Sequence, residues 1–131
     1  MEKQLYDIIE ETIFLYFKHG TRSNKSCMHL HNNLAEIIVK VYGDQYTIET
    51  EYSVSCKNFS KKKKCDIVLL KDKIPHTIFP VKFVKTNYLQ NRDDYLGSLV
   101  GECFLIKQSN PTVNICPINI IYKKRWNDKS F

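Results

Sequence analysis

The chain predicts an α/β domain with a central mixed β-sheet flanked by helices. Three observations carry that expectation. Two N-terminal segments repeat apolar residues at helical spacing. The middle of the chain changes to alternating, Thr-, Tyr-, Ile- and Val-rich runs that suit strands. A further helical segment then stands between those runs and a last apolar stretch, and helices on a sheet are the natural packing for this order. The 131 residues form one domain on the size prior, and 43% apolar with 26% charged residues is ordinary globular composition.

The first helix is expected over 3–19. Leu5, Ile8, Ile9, Thr12, Ile13, Leu15 and Tyr16 lie near the i, i+3, i+4 pattern, and Gly20 is a stop. A second helix is expected over about 28–42, with Leu30, Leu34, Ile37, Ile38 and Val41 as its stripe and Gly43 after it. Residues 46–54 read as a strand. Residues 57–64, with four consecutive lysines at Lys61–Lys64, read as a basic loop. A short apolar strand follows over 65–70, interrupted by Asp66, then a turn over 71–76 around Pro75 and a strand over 77–84. Residues 87–91 read as a polar connection and 93–108 as a helix with Leu96, Leu99, Val100, Cys103 and Ile106 inward. Residues 113–122 read as a last strand interrupted by Pro117. The division is thus a single domain over 1–131, with an N-terminal helix within 1–20 and a basic tail over 123–131.

Composition excludes several classes. Four Gly and four Pro do not make collagen or a Pro/Gly-rich disordered chain, and fifteen Tyr and Phe are too many for a disordered tail. No apolar run approaches the ~18 residues of a membrane span. The first residues lack the continuous apolar stretch of a signal peptide, so the expected location is cytoplasmic. Five cysteines without a C-x-x-C pair argue for reduced, mostly buried thiols rather than disulfides or structural zinc. Cys27, His29 and His31 alternate, a poor ligand spacing on a helix. No Ser/His/Asp arrangement, phosphate-cradling Gly loop or dinucleotide fingerprint is apparent. Charge is uneven: residues 1–60 hold six Lys/Arg against eight Asp/Glu, and residues 61–131 hold fourteen against six. The basic second half points to a polyanionic partner.

Two charges stand inside otherwise apolar strands, Asp66 and Lys82, where an unpaired buried charge is costly. With the hairpin turn near Ile74, Asp66 is expected opposite Lys82. A strand-end ion pair is the plain reading. The functional one is a metal-dependent nuclease centre, with a carboxylate holding a divalent ion and a lysine supporting the attacking water or the phosphoryl charge.

Cys65-Asp66-Ile67-Val68-Leu69-Leu70, then Ile78-Phe79-Pro80-Val81-Lys82-Phe83-Val84, a helix and a last strand, resemble the PD-(D/E)xK restriction-endonuclease-like superfamily over roughly residues 28–122. The resemblance implies a restriction-endonuclease-like fold, Asp66 as first metal-binding acid and Lys82 as catalytic lysine. Pro80 occupies the family's usual acid position, so the implied second acid comes from the following helix, as Glu102 or Asp94, or the chain is inactive. Glu36 matches a further acid on the helix before the first strand. Val81-Lys82-Phe83-Val84, Asn87-Tyr88-Leu89-Gln90-Asn91 and Gly101-Glu102 also look like a group of uncharacterised bacterial relatives, which favours Glu102. The paired helix glycines Gly97 and Gly101 suggest close approach by a strand or ligand.

The implied activity is Mg²⁺-dependent DNA endonuclease action (Mn²⁺ as substitute) on double-stranded DNA, by a homodimer. Lys61, Lys62, Lys63, Lys64, Lys85, Asn87, Tyr88, Gln90, Asn91 and Arg92 are the expected nucleic-acid contacts. A nuclease-fold DNA-binding or assembly subunit without cleavage is the alternative, supported by Pro80. A protein-interaction module built on the aromatic surface is a third reading.

Overall fold

The computed structural model of the protein describes residues 2–20, 23–56, 61–84 and 88–121. Helix α1 runs Glu2–His19 and α2 Lys25–Tyr42. Gly20 (φ 84°) and Gly43 (φ 99°) follow them, each with its N–H donated to a carbonyl of the last turn, Tyr16 and Val39. A side chain would strain both positions, so both stops read from sequence hold. On α1, Ile8 and Thr12 are buried, and the Thr12 hydroxyl donates to the Ile8 carbonyl at 2.7 Å, which satisfies it without solvent. On α2, Leu30, His31, Leu34, Ala35 and Ile37 form the buried stripe, while Val41 is exposed.

Strands β1 (Tyr46–Cys56) and β2 (Lys61–Lys71) form a long antiparallel pair, from Tyr46 opposite Lys71 to Cys56 opposite Lys61. The lysine run therefore lies on a strand, not in a loop. β3 (Ile74–Phe79) pairs antiparallel with β2 through a tight turn at Asp72 and Lys73, whose φ values of 53° and 66° are both left-handed. Two left-handed residues make the turn whose twist matches a hairpin. It lies within the expected 71–76 turn but is centred between Asp72 and Lys73 rather than at Ile74, and an irregularity at Leu69/Leu70 then shifts the register by one residue. Ile67 pairs with Phe79, so Asp66 stands across from Pro80 rather than Lys82, which corrects the expected pairing.

Pro80 has no N–H to give the ladder, so β2–β3 pairing ends beside it. The chain resumes as β4 (Val81–Val84), then helix α3 (Tyr88–Ser109), β5 (Asn114–Ile115) and β6 (Ile118–Ile121). β5 pairs parallel to β3, and β6 parallel to β4. The sheet is mixed, in order β1-β2-β3-β5 with a separate β4-β6 pair, and helices cover both faces. The α/β expectation holds at this level. α3 begins earlier than its predicted start, taking in most of the expected polar connection.

Two apolar clusters sit on opposite sides of the sheet. Ile67, Leu69, Phe79 and Val81 pack with Ile8 of α1 and with Leu30 and Leu34 of α2. Cys65, Val68, Leu70, Ile78 and Val54 pack with Ile106 of α3 and Val113. α3 turns Leu99 and Ile106 inward, but Leu96 and Val100 are exposed, so its inner stripe is narrower than expected. Nothing described lies within 4 Å of a Cβ built at Gly97 or Gly101, so the expected close approach there is absent among the described residues. All five cysteines are free; Cys56 and Cys65 are buried, Cys103 is half-buried, and Cys27 and Cys116 are exposed. Burial of the thiols is thus less general than the sequence suggested. No described helix is long and apolar enough to cross a membrane.

The left-handed turn gives a stability test. Lys73→Gly relieves the steric cost of φ 66° and is expected to stabilise the domain by about 1 kcal/mol, read as a raised urea midpoint at unchanged slope.

Candidate metal centre

Glu51 departs from strand geometry. Its φ is 53°, in the left-handed region that side chains rarely adopt. Before it, Tyr46 and Ile48 pack on the α1–α2 side; after it, Tyr52 and Val54 pack on the α3 side. The strand therefore changes phase at Glu51. β2 changes phase at the facing position, since Cys65 packs on the α3 side while Ile67 packs on the α1–α2 side. Between these two breaks, Glu51 and Asp66 face each other from adjacent strands, because Thr50 pairs with Ile67 and Tyr52 with Cys65.

α2 supplies the third member. His31 belongs to its buried stripe and its side chain is only 9% exposed. The His31 Nδ1 group donates to Glu51 Oε1 at 3.0 Å. One ligand atom each from His31, Glu51 and Asp66 lies within 4.8 Å of the others. A dication with bonds of about 2.1 Å holds neighbouring donors about 3 Å apart, so the group needs little movement to close on an ion. Asp66 is already held: its Oδ2 accepts the Val81 N–H at 2.9 Å. Among the described residues its other oxygen has no hydrogen-bond partner. Two carboxylates and one imidazole make a donor set that can hold a divalent metal ion.

Lysine surrounds this group unequally. Lys64 Nζ is 3.9 Å from Glu51 Oε2 and mostly exposed. Lys62 lies two residues along the same strand and is also exposed, so the two share a face at about 6.6 Å spacing. Lys63 points the other way, 4.0 Å from Glu102 Oε1. Half of the basic run accordingly lies on the same side as the carboxylates.

The other expected site residues are distributed differently. Glu102 is on α3, with Lys63, outside the His31–Glu51–Asp66 group. Asp94 and Glu36 are exposed and also outside it. Val81 and Phe83 pack on the α1–α2 side, so Lys82 projects to the opposite face, half-buried and across from Asn119 of β6. No ion pair joins Lys82 to Asp66 among the described residues. Lys85 and Asn87 lie outside the described residues, as do the side chains of Lys61, Tyr88, Gln90, Asn91 and Arg92. Sequence reasoning missed Glu51 entirely and set His31 aside for its spacing from Cys27 and His29. Its place on the buried stripe of α2, beside Leu30 and Leu34, was the available signal.

Cys65 is not part of the donor set. Burial, with the Glu102 and Asp66 carboxylates nearby, pushes its thiol up to about 12. It is a neutral thiol at physiological pH, a poor ligand and a poor nucleophile.

No protein-family model, no curated protein and no solved structure matches this chain.

The cysteine environments predict an order of reactivity. At pH 8, iodoacetamide is expected to label exposed Cys27 and Cys116 first, with Cys65 at least tenfold slower in the folded protein and level with them in urea. Peptide mass spectrometry over time reads this out, and early labelling of Cys65 would contradict the thiol assignment.

Proposed function

We propose that the protein is a divalent-metal-dependent nuclease that hydrolyses phosphodiester bonds of double-stranded DNA. The observation that carries the reading is the His31–Glu51–Asp66 group, beside a strand whose Lys62 and Lys64 lie on the same side. Carboxylates alone at a DNA-facing surface would repel phosphate; carboxylates that hold a dication, flanked by lysines, attract it. The resemblance to the restriction-endonuclease-like superfamily supports the reading through Asp66, through the helix before β1 and through the helix and strand after Lys82.

A bound dication would supply Lewis acidity at the phosphoryl oxygen and a nucleophilic water at neutral pH. The chain's own residues do the rest. The Val81 N–H fixes the Asp66 carboxylate, and the contact between His31 Nδ1 and Glu51 Oε1 holds the other two groups side by side; the Nδ1 proton shared there would be released as an ion took its place. Lys64 carries positive charge beside Glu51, where it can stabilise the charge that develops on the phosphoryl group. Lys62, one strand repeat away, contacts a neighbouring phosphate. In this assignment Lys64 takes the part that the resemblance gave to Lys82, and His31 with Glu51 takes the part given to Glu102 or Asp94. Cutting both strands requires two such centres, so the working unit is a homodimer.

Pro80 and the placement of Lys82 on the face opposite the His31–Glu51–Asp66 group favour a second reading, a nuclease-fold subunit that binds DNA without cleaving it. A cleavage assay on duplex DNA with Mg²⁺ or Mn²⁺ separates the two. The nuclease reading expects wild-type cleavage, a loss of at least a hundredfold in Asp66→Asn and Glu51→Gln, and a smaller loss in Lys82→Ala than in Lys64→Ala. Salt-dependent binding without cleavage on varied duplexes would favour the second reading. In either case, replacing Lys62 and Lys64 by alanine is expected to flatten the slope of log affinity against log salt by about 1–2. An unchanged slope would remove the lysine strand from the interface.

A further inference from the structure

We propose that the His31–Glu51–Asp66 site selects a first-row transition-metal dication, of which Mn²⁺ is the probe, over Mg²⁺. The inference rests on the metal-centre reading and holds whether or not the chain cleaves DNA. It departs from the Mg²⁺ that the family resemblance implies.

The donor atoms carry the argument. Mg²⁺ is a hard ion that binds proteins through oxygen, demands near-ideal octahedral geometry and gives up its waters reluctantly. Imidazole nitrogen adds little to Mg²⁺ affinity, whereas it suits the first-row transition ions increasingly along the series; Mn²⁺ stands at the weak end of that series, which makes it the most demanding probe of the nitrogen's contribution. One donor in three here is an imidazole, and it cannot leave the site easily. The His31 ring is 9% exposed and held by packing on the buried stripe of α2, with Nδ1 3.0 Å from Glu51 Oε1; an ion bound there would displace the proton the two atoms share. Mg²⁺ entering this site would meet two carboxylates and a nitrogen that blocks a water position. A transition-metal dication would gain a third protein bond there.

The strand geometry adds to this. Glu51 reaches the imidazole only because its left-handed backbone puts it on the same side as Thr50. An ordinary alternating strand would place that carboxylate on the α3 face, leaving Asp66 without its partner. The backbone conformation that brings Glu51 to Asp66 thus brings it to the nitrogen donor as well, and the three form one preorganised set.

The test needs no nucleic acid. Calorimetric titration of the full chain with MnCl₂ and with MgCl₂ is expected to give Mn²⁺ at least tenfold tighter. At equal concentrations Mn²⁺ should raise the thermal midpoint more than Mg²⁺. His31→Asn keeps a polar atom near the Nδ1 position, and it is expected to weaken Mn²⁺ binding at least tenfold while changing Mg²⁺ binding less than threefold. Should that variant fail to fold, electron spin-echo spectra of Mn²⁺-loaded wild type decide the matter, since a coordinated imidazole gives nitrogen modulation. Equal affinities for the two ions, an equal loss of both in His31→Asn, absence of nitrogen modulation, or no binding of either ion would overturn the proposal. Selective Mn²⁺ binding without cleavage would sink the nuclease reading and leave this one standing; cleavage with equal use of both ions would do the reverse.

Discussion

One hydrogen bond organises the centre of the sheet: the Val81 N–H to Asp66 Oδ2. Pro80 makes it necessary. A proline interrupts the donor sequence of the strand, so the ladder with β2 has nothing to accept at that position. The next N–H would be left unpaired in a half-buried place, where an unmade bond costs about 1–3 kcal/mol. Asp66 supplies the acceptor from its side chain. β4 is then released from β2 and pairs with β6, and Pro80 itself accepts from the Ile118 N–H at 2.7 Å. The carboxylate therefore has two roles at one position. It ends one set of strand pairings, and its second oxygen is left for other chemistry. The residue that the family resemblance treats as a missing acid is, in this chain, the reason the remaining acid is held still.

The phase change opposite that point is the second constraint. Glu51 adopts a conformation that costs about 1–2 kcal/mol for a residue with a side chain. Strand positions before and after it serve different cores, one under α1 and α2, the other under α3. Without the change, Tyr52 and Val54 would follow Tyr46 and Ile48 onto the α1–α2 side, and the α3 cluster would lose two of its members. Burial of those side chains offsets the strain. The same rotation turns a glutamate toward a buried histidine, and that pairing gives the centre its third donor. Packing and chemistry are coupled here through one backbone angle.

This coupling explains what the sequence revealed and what it concealed. Helices α1 and α2 were legible because their stripes and their terminal glycines agree. β3 was legible through its apolar residues, but its register was not: a turn with two left-handed non-glycine residues, Asp72 and Lys73, carries no Gly signal. The apolar positions of β1, Tyr46, Ile48, Tyr52, Val54 and Cys56, all have the same parity, so the pattern looks like one uninterrupted strand. Nothing in that alternation shows that its two halves face opposite sides. Asp66 stood out as a charge in an apolar run. Glu51 stood among exposed polar residues, and His31 belonged to a spacing unsuited to helical ligands. A centre assembled from one residue on each of three elements leaves no local motif.

The lysines complete the electrostatic picture. A run of four like charges reads from sequence as one basic patch, but a strand divides it between two faces. Lys63 lies against Glu102 on the α3 side, a weak pair at 4.0 Å that offsets its charge there. Lys62 and Lys64 remain on the side of Glu51 and Asp66, both exposed. Lys64, at 3.9 Å from Glu51, is itself a partial counter-charge to the carboxylates. A dication taken up between the carboxylates would assume that part, and the ammonium, on its long flexible stem, would be free to turn toward an incoming phosphate. Metal and polyanion would then favour each other's binding through a shared lysine, since a coupling of this kind is reciprocal.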